Sequence, residues 1–286
     1  MSLKITKTPK CYVGGAFIRS ESGRVAPMRD AGGGFVANLP RCSRKDLRNA
    51  VEAAAGAGPG WAGRSGYNRG QILYRLAEMM ESRAIELADS VAITGEAEDG
   101  RAEREVRAAI DRVVHFAGWT DKYEAVLGSV NPVAGRYFNF TVHEPMGVVG
   151  VIAPDDAPLL GLLTLLLPAI TGGNTVVALA SEAAPYPAIL LGEMLAVSDI
   201  PGGVVNLLTG GRGELLPAFA KHRHIRALAA AASAGESATL GQGASESVKR
   251  VVARDPGADW FSDRFDSPYA IGDLLEAKTV WHPVGA

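Results

Sequence analysis

The chain has 286 residues, with 29 Lys plus Arg against 31 Asp plus Glu and a formal net charge of -2. At about 100–200 residues per domain, that length fits one large domain or two modest ones. A composition of 47% hydrophobic and 21% charged residues excludes a disordered or collagen-like chain, and the near-neutral balance gives no field to hold a nucleic acid.

The opening Met1 to Lys7 has no apolar core of the kind a secretory signal needs, and only two cysteines follow, Cys11 and Cys42. Two are too few for a disulfide framework and predict a reducing, cytoplasmic setting with inert thiols. Cys11 to Ile18 predicts a short hairpin, with Gly14 and Gly15 supplying the turn. Ser43 is a candidate N-cap, with Leu47, Ala50, Val51 and Ala54 following at helical spacing. The Gly-Ala-Gly-Pro-Gly run from Gly56 to Gly60 is expected to end that helix. A second helix is predicted over Asn68 to Ala88, striped by Ile72, Leu73, Leu76, Met79 and Met80. A third is predicted over Ala102 to Tyr123, striped by Val106, Ile110, Val113 and Ala117. Such stripes face a core rather than a cofactor.

The character changes at Asn131-Pro132. Tyr137 to His143 alternates as a strand does. Val148 to Ala153 is a continuous apolar run ending at Pro154, which suits a strand buried on both faces of a parallel sheet. Leu159 to Ile170 is the most apolar stretch, but it spans only about half a bilayer and is bounded by Asp155, Asp156, Gly172 and Gly173. It reads as a buried helix, with no membrane partner. Thr175 to Leu179 is a strand, Pro187 to Val197 a helix, and Val204 to Leu208 a strand leading into Thr-Gly-Gly-Arg-Gly213. Ile225 to Ala229 and Val248 to Ala253 are further candidate strands, with an Ala/Gly-rich piece from Ala227 to Gly243. The alternation predicts an α/β fold: a doubly wound Rossmann-type parallel sheet with a helical N-terminal portion.

The turn Thr209 to Gly213 is placed to cradle a phosphate, with Arg212 as charge partner, although Gly-rich turns also follow strands where no ligand binds. His222 and His224 have ligand-like spacing but no companions, so a solvated basic turn is preferred and no metal site is assigned.

Three segments together carry a resemblance: Glu144-Pro-Met-Gly-Val-Val-Gly-Val-Ile-Ala-Pro154, Pro168-Ala-Ile-Thr-Gly-Gly-Asn-Thr-Val-Val177 and Ile200-Pro-Gly-Gly-Val-Val-Asn-Leu-Leu-Thr-Gly210. In order and spacing they resemble the cofactor-binding half of the aldehyde dehydrogenase superfamily. The start of the chain and Glu276 to Trp281, similar to the family's closing oligomerisation strand, extend the likeness. The resemblance implies NAD(P) as the possible cofactor, with Glu182 accepting from ribose hydroxyls and Gly210, Gly213 and Ser233 as vestiges of the dinucleotide site. It also exposes departures. No cysteine follows Cys42 to act as the thiolate nucleophile. Asp155 and Asp156 stand where the family has an aromatic residue and an oxyanion-stabilising asparagine. Leu179 replaces its ribose-contacting lysine, and Ala232 replaces the glycine beside the pyrophosphate. Gly241-Gln-Gly243 echoes the stretch before the family's catalytic cysteine, yet Ala244 follows.

These readings divide the chain into a cofactor-type (Rossmann) domain over 1–270, with a flap strand pair near 131–145, and a closing oligomerisation strand over 271–286. The catalytic domain is expected to be absent and no catalytic residue is assigned. The expected function is that of a pseudoenzyme working in assembly, as a homo-oligomer (a dimer) or with a full-length aldehyde dehydrogenase. An active NAD(P)-dependent aldehyde dehydrogenase and an NAD(P)-binding sensor without catalysis are the alternatives.

Overall fold

The structure, a computed structural model, describes residues 8–94 and 100–285. Met1 to Lys7, read above as lacking a leader, lies outside the described residues, as does Ala286 at the end of the closing segment. Strands β1 (Cys11–Val13) and β2 (Ala16–Ile18) form the predicted hairpin about Gly14 and Gly15, both at positive φ. β3 (Val25–Arg29) and β4 (Phe35–Pro40) make a second hairpin. Helix α1 (Arg44–Ala62) starts at Ser43 in a capping box. The Ser43 Oγ accepts from the Lys45 and Asp46 amides, and buried Asp46 accepts from the Ser43 amide at 2.7 Å. Substituting Ser43→Ala should lower stability by about 1 kcal/mol in a urea titration, the usual cost of an N-cap.

α1 does not stop in the glycine run but passes through it, with Pro59 inside, to Ala62. The anchor is Trp61, buried with its indole Nε1 donating to the Ile170 carbonyl at 2.9 Å. Burying an indole of about 200 Å² stabilises by about 5 kcal/mol. That outweighs about 1 kcal/mol for each helical glycine. The expected helix over 68–88 is two helices, α2 (Gly66–Ser82) and α3 (Ala84–Ala92). The backbone breaks at Arg83 (φ -122°, ψ 25°), whose guanidinium pairs with Glu86 and, across to a later helix, with Glu193. α4 (Arg101–Trp119) ends before Tyr123, which opens the short α5 (Tyr123–Leu127).

β5 (Ser129–Asn131) and β6 (Tyr137–Pro145) precede the parallel core: β7 (Val148–Ile152), α6 (Leu160–Thr171), β8 (Thr175–Leu179), α7 (Tyr186–Leu195), β9 (Val205–Leu208), α8 (Arg212–Lys221), β10 (Ile225–Ala231), α9 (Ala234–Ser245) and β11 (Arg250–Arg254). The seven strands run β11-β10-β7-β8-β9-β1-β2, with β7 to β11 parallel. The expected parallel sheet is thus extended by the antiparallel β1–β2 hairpin, which joins it through Tyr12 opposite Leu207. All five residues of β7 are buried, and alternate ones enter different cores. Val149 and Val151 pack with α2, α4, α6 and α7, while Val148 and Ile152 pack with α1, α8 and α9. That is double winding. No helix among the described residues is long and apolar enough to cross a membrane.

After α10 (Tyr269–Gly272), β12 (Leu275–Pro283) pairs antiparallel with β6 from Leu275 opposite Pro145 to Pro283 opposite Tyr137. The closing segment therefore holds a helical turn before its strand. Its strand pairs with the flap of its own chain, completing a three-stranded sheet β12-β6-β5.

Candidate functional site

In a doubly wound sheet, ligands are taken in the crevice at the carboxyl ends of the strands where the winding reverses. Here that is the gap between β7 and β10, fed by the segments after β7, β8, β9 and β10. Arg212, the first residue of α8, lies across it. Its Nη1 donates to the Ala153 carbonyl at 2.8 Å and its Nη2 to the Ala231 carbonyl at 2.7 Å. Its Nε donates to Glu236 Oε1 at 2.8 Å, and the side chain is only 12% exposed. The planar fork suits three acceptors in a way a lysine would not. The Arg212 hydrogen bond, helped by donors from Ser233, holds the Glu236 carboxyl at about 2.

The predicted cofactor contacts are drawn together here, but they are spent on one another. Glu182 Oε2 accepts from the Arg212 amide at 2.7 Å, which caps α8 with a carboxylate. Ser233 is the N-cap of α9 in a capping box with Glu236, its amide donating to Oε2 at 2.9 Å. Gly210 has a packing reason to be glycine, since a Cβ there would stand 3.0 Å from Leu215 Cδ1 and 3.3 Å from the Cys42 carbonyl oxygen. Gly213 has none, because a Cβ would meet nothing within 4 Å. Asp155 Oδ1 accepts from Ser181 Oγ and the Glu182 and Ala183 amides at 2.7, 2.9 and 3.2 Å, tying the end of β7 to the turn after β8. Asp156 pairs with Arg101.

The residues present do not fit a dinucleotide. Phosphates bind at helix N-termini because free amides and the helix dipole meet negative charge there. At α8 the Arg212 amide already serves Glu182, whose carboxylate sets negative charge where a phosphate would sit, and at α9 the Glu236 amide serves Ser233 Oγ. The Arg212 guanidinium is turned inward onto Ala153, Ala231 and Glu236 rather than toward a ligand.

The two thiols lie elsewhere. Cys11, on β1, is three strands from β7, about 14 Å by strand spacing. Cys11 and Cys42, distant in sequence, are both fully buried, with their sulfurs 3.5 Å apart. Among the described residues no group of three or more His, Cys, Asp or Glu side chains is placed to hold a metal. The rings of His222 and His224 stand edge to face at 6.1 Å. Sequence reasoning had named Arg212 but missed Glu236; the Ser233-x-x-Glu236 spacing, a capping-box signature, was the available signal.

The model of the aldehyde dehydrogenase family matches residues 17–261. The chain belongs to the aldehyde dehydrogenase family. Retinal dehydrogenase 2 of Mus musculus is 34% identical over 252 residues, covering 86% of this chain and 48% of that protein. The NAD-dependent aldehyde dehydrogenase of Sinorhizobium meliloti superposes with a TM-score of 0.83 at 28% identity, covering 88% of this chain and 51% of that one. The NAD+ complex of the Bacillus cereus aldehyde dehydrogenase gives a TM-score of 0.82 at 26% identity, covering 86% of this chain and 50% of that one. The chain thus spans about half the length of the relatives it matches.

Proposed function

We propose that this chain is a catalytically idle aldehyde-dehydrogenase-family protein whose work is assembly, through its three-stranded sheet, with a second copy of itself. The observation that carries this reading is the Arg212 fork closing the β7–β10 crevice from within. Both thiols of this sequence, Cys11 and Cys42, are buried away from that crevice, and a thiolate nucleophile would have to stand at it.

The assembly half rests on the sheet β12-β6-β5. Phe138, Phe140 and Val142 alternate onto one face of β6, and the register places Val280 and Val130 beside Phe140 on that face. Phe138 is 48% exposed, Val142 41% and Val130 68%. The Phe138 and Phe140 rings stand 5.4 Å apart. This exposed apolar patch, edged by Lys278 opposite Val142 and His282 opposite Phe138, supports an interface there. A full-length aldehyde dehydrogenase is the other partner that such a face could accept.

Calorimetric titration of NAD+ into the protein should give no binding heat, and no aldehyde should yield reduced cofactor. Micromolar binding or turnover would defeat the idle reading. Size-exclusion chromatography with light scattering should report more than one chain per particle. Placing charge on the face, with Phe138→Glu and Val280→Glu together, should reduce the particle to one chain with an unchanged far-UV spectrum. A monomeric parent protein would defeat the assembly reading.

A further inference from the structure

Cys11 sits on β1 and Cys42 two residues before α1, 31 positions apart in sequence and both fully buried. Their sulfurs lie 3.5 Å apart. Thr209, at the head of the glycine-rich turn, holds both residues. Its hydroxyl is 3.4 Å from the Cys11 sulfur, and its carbonyl accepts from the Cys42 amide at 2.9 Å. A disulfide requires the sulfurs to close to about 2.05 Å. The remaining gap of about 1.5 Å is within the reach of side-chain rotation and small backbone adjustment.

We propose that Cys11 and Cys42 are a redox-sensitive pair that closes in place to an intrachain disulfide when the protein meets hydrogen peroxide. This rests on the sulfur geometry alone and stands whether or not the chain is catalytically idle. The two thiols are not equivalent. The hydrogen bond with Cys42 lowers Cys11, while the same bond and burial raise Cys42, so Cys11 is the first of the two to give up its proton. The Cys11 sulfur attacks one peroxide oxygen, the O–O bond breaks, and hydroxide leaves, giving Cys11 sulfenic acid. The Cys42 sulfur then attacks Cys11 Sγ. The S–O bond breaks, and water departs with the Cys42 proton. Two thiols lose two electrons, and one peroxide becomes two waters.

A cavity of about 180 Å³ is lined by Arg41, next to Cys42 in the chain, and by Thr209, whose hydroxyl lies 3.4 Å from the Cys11 sulfur; neither cysteine lines it. Peroxide fits that space; a bulky disulfide oxidant such as oxidised glutathione does not suit it. The product would weld the edge hairpin to the β4–α1 junction beneath the turn that launches Arg212.

The test treats the reduced protein with a stoichiometric series of hydrogen peroxide, then denatures it in iodoacetamide and measures intact mass. The expected dominant product is lighter by about 2 Da, takes no alkyl group and reverts with dithiothreitol. Peptide mapping should join the Cys11 and Cys42 peptides. The thermal midpoint should rise by about 5 °C on oxidation. Cys11→Ala and Cys42→Ala should each abolish the mass loss and the thermal shift; the mapping of the parent protein decides the matter even if a variant fails to fold. Two alkylated thiols, separate sulfinic acids at either residue, or a disulfide between chains would overturn the proposal.

Discussion

Replacing Arg212 with alanine should lower the free energy of unfolding by about 3 kcal/mol, since hydrogen bonds to a charged group contribute about 1.5–3 kcal/mol each and some of the freed acceptors regain water. The side chain spans β7 and β10 through the Ala153 and Ala231 carbonyls and neutralises Glu236. Arg212→Lys should recover only a small part, because an ammonium supplies a point charge rather than a three-way fork. The pH dependence gives an independent readout. Glu236 is held at about 2, below its ordinary 4.5. Its contribution is therefore present above the ordinary value and is lost as pH falls toward the folded one. The parent protein should shed this part of its stability between those two values, and Arg212→Ala should show a flatter acid limb there. Urea titrations at neutral and acidic pH would read both effects. An equally steep acid limb in the variant would show that Glu236 is held down by something other than Arg212.

The parallel half of the fold was legible because buried strands write themselves as apolar runs. Val148 to Ile152 and Thr175 to Leu179 are wholly buried, and their sequence has no polar alternation to misread. α9 was hidden because Ala234 to Ser245 is rich in Gly, Ser and Ala and carries no stripe; its start is fixed by Ser233 and Glu236, and it buries Leu240, Gly243 and Ala244. The run from Gly56 to Gly60 misled in the opposite direction: local propensity predicted an end that a single long-range anchor, Trp61 on Ile170, overrode. At the site, sequence named Glu182, Gly210, Arg212 and Ser233, all of which meet at the carboxyl ends of the strands. It could not say that Arg212 and Glu236, 24 residues apart, would face each other across the crevice. That pairing depends on β10 lying beside β7 rather than beside β9, which is a property of sheet order and not of residue pattern. The same holds for Cys11 and Cys42, which meet only because β1 adds to the sheet next to β9.

A second large effect is expected at a residue that looks dispensable. Asp266 is 33% exposed by side chain, and its partner Arg112, on α4, is 4% exposed. Arg112 Nη1 donates to Thr164 Oγ1 at 2.7 Å and Nη2 to the Trp260 carbonyl at 3.4 Å, while its Nε stands 2.6 Å from Asp266 Oδ1. That last contact is charge attraction rather than an aligned hydrogen bond, since Oδ1 receives no well-directed donor. Burial lowers the Arg112 pKa, and Asp266 with Asp263 works against that cost. Removing Asp266 leaves a guanidinium in the core without its nearest counter-charge, and an uncompensated buried charge costs about 3–5 kcal/mol. Asp263 offsets a part, so Asp266→Ala should cost about 3 kcal/mol. Arg112→Met should cost less: the thioether fills the apolar space, Asp266 turns to water, and the Thr164 hydroxyl keeps its bond to the Leu160 carbonyl at 2.7 Å. The exposed partner should therefore matter more than the buried one. A double-mutant cycle on the pair, followed by chemical denaturation, would read the order directly. Arg112→Met proving the more damaging would mean that the guanidinium serves chiefly to bridge α4, α6 and the Trp260 segment, with its charge already met by solvent.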